Sequence, residues 1–235
     1  MADGLLARLL PSPCRTAETT GHRDAADLGA LHPEERRAAA GFRPRRAREF
    51  AAVRACARTA LLALGEAPAP LPPGPKGAPR WPGGVVGSMT HCDGFRGAAV
   101  ALSRDLLTVG IDAEPAVPLR PGLLEHICSG DRELLSVRAL SARVPHVPWD
   151  KVLFSAKESV YKAWFPLTSR WLGFEHADVD LRPAAGTGTH GTFHARLLGE
   201  RAVLGGRCLT GFDGRWAVGD GLVVTAVAVP AAGPG

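Results

Sequence analysis

"VVGSMTHCDGFRGAAVALSRDLLTVGIDAEP" (Val85–Pro115) is the stretch on which the reading of this chain turns. Three apolar runs, Val85–Cys92, Phe95–Ser103 and Leu106–Glu114, are separated by the turn pairs Asp93-Gly94 and Arg104-Asp105, and Pro115 and Pro118 end the last one. Short apolar runs broken by two-residue turns predict antiparallel strands, here a β-meander. The third run ends in charge. Side chains at i and i+2 leave a strand on the same face, so Asp112 and Glu114 project together while Ala113 faces the other way. Two carboxylates side by side repel unless something positive lies between them. A hard dication such as Mg²⁺ takes such oxygen ligands together with substrate phosphates. A solvated strand end explains an isolated Asp-x-Glu at least as well, so a second element has to decide.

That element is "LFSAKESVYKAWFP" (Leu153–Pro166). Val152, Leu153, Ala156, Val160, Ala163 and Trp164 recur at helical spacing and form an apolar stripe that must face a core. Phe154, Glu158, Tyr161, Lys162 and Phe165 fall on the other side, with Lys157 near the edge. A surface ion pair between Glu158 and Lys162 accounts for two charges but leaves three aromatics in water. A helix that lines a cleft accounts for all of them. Glu158 then supplies a third carboxylate, Lys157 and Lys162 neutralise phosphate oxygens, and the aromatics wall an apolar part of the ligand. Asp150 is expected to cap this helix and Pro166 to close it.

In "GSMTHC" (Gly87–Cys92), Gly87 permits close backbone approach and Ser88, Thr90 and His91 offer polar groups where a strand meets a turn. No Gly-Lys-Ser/Thr follows and no Gly-x-Ser-x-Gly is present, so neither a Walker A loop nor a nucleophile elbow is encoded. A Cys92–His91 dyad is disfavoured because adjacent strand residues point to opposite faces.

Around this centre, Arg45–Gly65 reads as a helix with Arg54 and Arg58 one turn apart, and Gly65 stops it. The proline-rich segment "EAPAPLPPGPKGAPRWPGG" follows as a long loop or linker whose one lysine is Lys76. Shorter helices are expected over Pro121–Ile127 and Asp131–Ser141. The runs "HADVDLR", "GTFHARLL", "RCLTGFD", "RWAVGDG" and "LVVTAVAVP" read as strands, and the terminal "AAGPG" as disordered. Helices precede antiparallel strands in both halves, which suggests an α+β architecture with a duplicated plan.

The 235 residues suffice for a substantial core, and 46% hydrophobic with 22% charged residues suit a soluble globular chain. No apolar run approaches the roughly 18 residues that span a bilayer. "MADGLLARLLPSP" is too short and too charged in its apolar part to read as a signal peptide. Five scattered cysteines without zinc or redox spacing point to reduced thiols in a cytoplasmic protein. A formal charge of +5 favours an anionic partner, whether phosphorylated small molecule, acidic protein or nucleic acid. Low aromatic content and the lack of a recognisable motif weigh against nucleic acid.

Taken together, "GSMTHC", "VGIDAEP" and "FSAKESVYKAWFP" resemble the signature blocks of the 4′-phosphopantetheinyl transferases, nearest the larger monomeric kind that serves peptide synthetases and polyketide synthases. "EFAAVRACARTAL", "KGAPRWPGGVVGS" and "RWLGFE" extend the likeness over most of Arg45–Glu175. The resemblance implies two pseudo-symmetric α+β halves, residues 1–115 and 116–235, with the active site in the cleft between them. It implies transfer of the phosphopantetheine arm of coenzyme A to a serine of an apo acyl, peptidyl or aryl carrier protein, with release of adenosine 3′,5′-bisphosphate. Asp112, Glu114 and Glu158 would hold Mg²⁺, with Mn²⁺ an alternative. Lys157 and Lys162 would grip the diphosphate, and Arg46, Arg54, Lys76 and His91 would hold the nucleotide's phosphates, with polar contacts from Ser88 and Thr90. "RPRRAR" leaves the register of Arg46 open. Phe154, Tyr161 and Trp171 would wall the pantetheine channel, although core packing explains Trp171 equally well. Glu158 could take the serine proton directly or through water. Two rivals share these residues: a Mg²⁺-dependent nucleotide-diphosphate hydrolase and a non-catalytic coenzyme A binding module. No membrane partner is expected.

Overall fold

The computed structural model describes residues 4–21, 28–186, 188–204 and 207–231. The N-terminal part contains α1 (Leu5–Leu9), β1 (Arg15–Thr20), α2 (Pro33–Ala39), α3 (Pro44–Leu64), β2 (Val85–Cys92) and β3 (Phe95–Leu102). Then come β4 (Leu106–Pro115), α4 (Leu123–Ile127), α5 (Asp131–Arg143) and α6 (Trp149–Thr168). Strands β5 (Ala177–Pro183), β6 (His190–Leu197), β7 (Ala202–Leu204), β8 (Arg207–Leu209), β9 (Gly211–Gly219) and β10 (Leu222–Pro230) complete the chain. The expected disordered tail lies, beyond Ala231, outside the described residues. No described helix is long and apolar enough to cross a membrane.

The fold is mixed α+β, as expected. Two antiparallel sheets, ordered β1-β3-β2 and β4-β10-β9-β6-β5, each carry a long helix, and β7-β8 form a small ribbon. Helix α3 lays Ala57, Ala60 and Leu61 on Ala98 and Val100 of the first sheet. The apolar stripe of α6, from Val152 to Trp164, is fully buried against the second. Asp220 and Gly221, both with positive φ, make the tight turn that sets β9 against β10.

The β-meander is a correction. β2 and β3 form the expected hairpin, but β4 does not continue it. Both edges of β3 are taken, one by β2 and the other by β1, a strand that the sequence reading missed. β4 instead pairs with β10 and runs beside β2. Ser88 Oγ accepts from Ile111 N at 3.1 Å and Thr90 Oγ1 from Ala113 N at 3.0 Å, the same offset of 23 residues in each case, so the two strands run parallel. Hydroxyls, rather than a main-chain ladder, stitch this seam between the sheets.

Two helix ends also differ from expectation. Asp150 lies inside the first turn of α6, whose N-cap is Pro148. Its carboxylate accepts from Leu119 N and Lys151 N instead. Pro166 sits within the last turn, and the helix closes at Ser169 in the left-handed conformation, φ 54°. A proline so near the end removes one hydrogen bond, to the Lys162 carbonyl, and is tolerated there.

Helix α6 lies unusually close to β4. A Cβ added at Gly110 would fall 2.0 Å from the Ser159 carbonyl oxygen and 2.7 Å from Ala163 N. Only glycine allows that approach. Thr108 Oγ1 donates to the Ala163 carbonyl and Thr225 Oγ1 to the Ser155 carbonyl, fixing the helix in register with the sheet.

Candidate active site

A cavity of about 600 Å³ opens between α3, the proline-rich loop and β2 on one side and α6 on the other. Of the expected site residues, Arg46, Arg54, Lys76, Ser88, His91, Glu158, Tyr161 and Lys162 line it. Thr90, Asp112 and Lys157 do not.

Thr90 and Asp112 lie one layer behind. Lys162 Nζ is 2.7 Å from Asp112 Oδ1 and 3.5 Å from Thr90 Oγ1, while Ser155 Oγ donates to Asp112 Oδ2 at 2.8 Å. Asp112 is therefore a buried carboxylate held by one ammonium and two hydroxyls. Glu158, one turn before Lys162, faces the cavity. Burial, and next the neighbouring Asp112 charge, push its carboxyl above the usual carboxylate range, and Lys162 pulls it back. Among the described residues no hydrogen bond or ion pair reaches Glu158.

The three expected metal carboxylates do not form a ready-made cage. Glu114 turns to Lys151 at 3.1 Å, and among the described residues no three His, Cys, Asp or Glu side chains converge closely enough to hold an ion. The set nevertheless suits a hard cation. It is all carboxylate oxygen, and Asp112 and Glu158 oppose each other electrostatically. Mg²⁺ commonly takes one or two protein carboxylates and completes its shell with water and substrate phosphate.

Lys157 is placed differently from the reading of α6. Its ammonium is buried, 2.8 Å from Glu133 Oε2 and 2.8 Å from the Phe174 carbonyl. Burial lowers its pKa and Glu133 raises it again. Lys157 therefore braces α6 against α5 and the segment around Phe174. Glu133 also accepts from Ser129 N and Val179 N. No sequence motif marked Glu133.

Opposite α6, Arg54 stacks on Phe50, its guanidinium carbon 3.2 Å from the ring centroid. Burial lowers its pKa to about 10, partly offset by Glu35. Arg46 contacts His91, and both face Glu49, at 3.8 and 3.6 Å. Burial first, and the Arg46 charge second, lower the His91 pKa to about 4, so its imidazole is neutral at pH 7. Glu49, a half-buried acid among cations on the cavity wall, escaped the sequence reading. So did Trp81, whose Nε1 donates to the Gly87 carbonyl at 3.0 Å. A Cβ at Gly87 would fall 2.6 Å from the Ala99 carbonyl oxygen and 2.9 Å from that indole, so strand and tryptophan both approach it closely.

A second pocket of about 180 Å³, mainly apolar, is lined by Lys157, Tyr161, Trp171, Leu172 and Phe174 and shares Glu158 and Tyr161 with the larger cavity. The Trp171 ring lies 4.9 Å from Tyr161 and is 65% exposed, so it is not core packing. Phe154 packs on Phe174, behind the pocket wall.

Comparison with known proteins closes the question of family. Residues 34–101 match the profile described as "4'-phosphopantetheinyl transferase N-terminal domain", and residues 108–204 match "4'-phosphopantetheinyl transferase superfamily". The chain belongs to that superfamily. This transferase is 53% identical over 228 residues to "4'-phosphopantetheinyl transferase Svp" of Streptomyces mobaraensis, covering 97% of this chain and 90% of the relative. It is 42% identical to "4'-phosphopantetheinyl transferase Npt" of Nocardia iowensis, covering 95% and 99%. With "4'-phosphopantetheinyl transferase PptT" of Mycobacterium tuberculosis it shares 47% identity, over 83% and 84%. The transferase's cavity thus falls where the two matched regions face each other, α3 and β2 in the first and α6 in the second.

Proposed function

We propose that this transferase moves the 4′-phosphopantetheine arm of coenzyme A onto a serine hydroxyl of an apo carrier protein and releases adenosine 3′,5′-bisphosphate. The observation that carries this reading is the composition of one cavity wall. Arg46, Arg54, Lys76 and His91 face Glu158 and Lys162 across a volume suited to a nucleotide. The adjoining apolar pocket beside Tyr161 and Trp171 suits the uncharged pantetheine arm. We read residues 1–115 as the half that holds the nucleotide phosphates and residues 116–235 as the half that presents α6.

In this reading the serine Oγ bonds to the phosphorus that carries pantetheine. The bond from that phosphorus to the bridging oxygen breaks, and its electron pair leaves on the bisphosphate. Glu158 is placed to take the serine proton. Lys162 lies beside the developing charge, with Thr90 and Asp112 fixing its ammonium. Asp112 and Glu158 would hold Mg²⁺ or Mn²⁺, with Glu114 next to them on β4. Such an ion neutralises diphosphate charge when bound. Lys157 acts from behind by bracing α6, and Ser88 contributes at the cavity floor.

Carrier domains of peptide and polyketide synthesis are the expected partners, and the basic chain suits their acidic surfaces. Five free thiols accord with a cytoplasmic enzyme, which we take to act as a monomer.

The test is intact-mass analysis of apo peptidyl, acyl and aryl carrier domains incubated with the transferase, coenzyme A and Mg²⁺. One phosphopantetheine should be gained at the carrier serine, and Glu158→Gln should lose the gain while keeping its circular dichroism. No gain on any carrier type would overturn the reading. Bisphosphate release without a carrier would replace it with a hydrolase.

A further inference from the structure

The proline-rich loop forms much of one cavity wall, through Pro73, Lys76, Ala78 and Trp81, yet has almost no regular structure of its own. It is anchored through Leu71, which is fully buried. The Leu71 amide donates to Glu35 Oε1 at 2.8 Å, and its carbonyl accepts from Arg54 Nε at 2.9 Å. One peptide segment is thus clamped on both sides by a carboxylate and a guanidinium.

Glu35 itself is entirely buried on α2 and does not line the cavity. Its carboxylate accepts from Arg58 Nη1 at 3.1 and 3.2 Å and from His32 N at 2.9 Å, and it lies 3.8 Å from Arg54 Nε. A buried carboxylate is stable only where its oxygens are filled, and here every bond but the one to its own helix cap, His32 N, ties α2 to α3 or to the loop. Arg54 is the shared member. Its Nε is committed to Leu71, one Nη reaches the Phe50 carbonyl, and the group forms part of the cavity wall.

We infer that Glu35 is a positioning residue for nucleotide recognition. From outside the cavity it fixes both the angle of Arg54 and the distance of the Lys76 loop from α6. The inference rests on the transferase reading only in taking coenzyme A as the occupant. A change that raises KM and leaves kcat unchanged has removed binding shared by the ground state and the transition state, the effect expected of a residue that only positions the nucleotide's contacts.

The test uses the full-length transferase with saturating carrier domain. Glu35→Gln keeps the size and one acceptor oxygen but removes the charge that holds Arg54 and Arg58. Its KM for coenzyme A should rise at least about tenfold, with kcat within about twofold and KM for the carrier unchanged. Amide hydrogen exchange gives an independent readout, because Leu71 N–H should exchange faster in the variant. Wild-type KM for coenzyme A, unaltered Leu71 protection, or a loss confined to kcat would each overturn the inference. If Glu35→Gln does not fold, Arg58→Met weakens the same clamp from outside the cavity. It should raise KM for coenzyme A about threefold, and no rise would overturn the inference. Wild-type enzyme that binds no coenzyme A would sink the transferase reading instead, with Leu71 exchange still reporting on the clamp.

Discussion

Lys162 Nζ lies 2.7 Å from Asp112 Oδ1, so an ammonium on the cavity wall neutralises a carboxylate buried on the strand behind it. The Asp112 side chain is 6% exposed and that of Lys162 27%. Replacing Lys162 with Met leaves Asp112 with two hydroxyls and no counter-charge. Stability should fall by about 1–3 kcal/mol, and carrier loading by at least about 100-fold. Urea unfolding and a loading assay measure the two effects. A variant as stable as wild type would show that the pair contributes nothing to the fold.

Gly110→Ala tests the contact of β4 with α6. The new methyl would overlap the Ser159 carbonyl, and neither backbone can yield without moving the helix that carries Glu158 and Lys162. The expected cost is about 1–3 kcal/mol, seen as a lower urea midpoint at unchanged slope. Transfer should fall with it, since a displaced α6 misplaces both side chains.

The Glu133–Lys157 pair separates bracing from ligand binding. Glu133→Gln removes the carboxylate charge paired with the buried Lys157 ammonium and should cost about 3–5 kcal/mol. Glu133→Gln combined with Lys157→Met should recover much of that, because no charge is then left buried and the glutamine oxygen still accepts a backbone amide. A double variant no more stable than Glu133→Gln would contradict this account of Lys157.

His91 makes stability depend on pH. Its folded pKa of about 4 lies below the unfolded value of 6.5, so folding favours the neutral ring. The unfolded chain takes up a proton first as pH falls. The His91 contribution is therefore complete above pH 6.5 and shrinks as pH drops from 6.5 towards 4. Between pH 7.5 and 5, His91→Gln should lose less unfolding free energy than wild type. NMR should show the His91 ring neutral at pH 5.5. A ring already protonated there would refute the assignment.

Trp171→Ala removes an exposed wall of the small pocket. Stability should stay within about 0.5 kcal/mol, while KM for coenzyme A should rise a few-fold. Isothermal titration with coenzyme A and with adenosine 3′,5′-bisphosphate locates the effect, since only the former carries the pantetheine arm. Equal weakening of both would place Trp171 against the nucleotide instead.

What the sequence made legible follows the range of the interactions involved. The stripe of α6 and the Asp-x-Glu spacing on β4 are local periodicities, and both appear as read. Eight of the eleven residues expected to touch coenzyme A line one cavity, since local motifs already placed them on α3, the loop, β2 and α6. The misses are long-range. β1 has little alternation of its own and becomes a strand because β3 offers it an edge. The contact of Lys157 with Glu133, 24 residues earlier on α5, leaves no trace in the spacing of α6. Glu114 meets Lys151, from the first turn of α6, a contact that the Asp-x-Glu spacing on β4 does not announce. In each case the deciding group lies on another element, where spacing along the chain gives no warning.

Ser88 and Thr90 hold the edge amides of Ile111 and Ala113, and Ser88 also faces the cavity. The joint between the two sheets and one edge of the cavity are therefore one short length of backbone. Loosening either hydroxyl would let the sheets splay beside the cavity, so mechanical stiffness and cavity shape cannot be tuned apart in this enzyme.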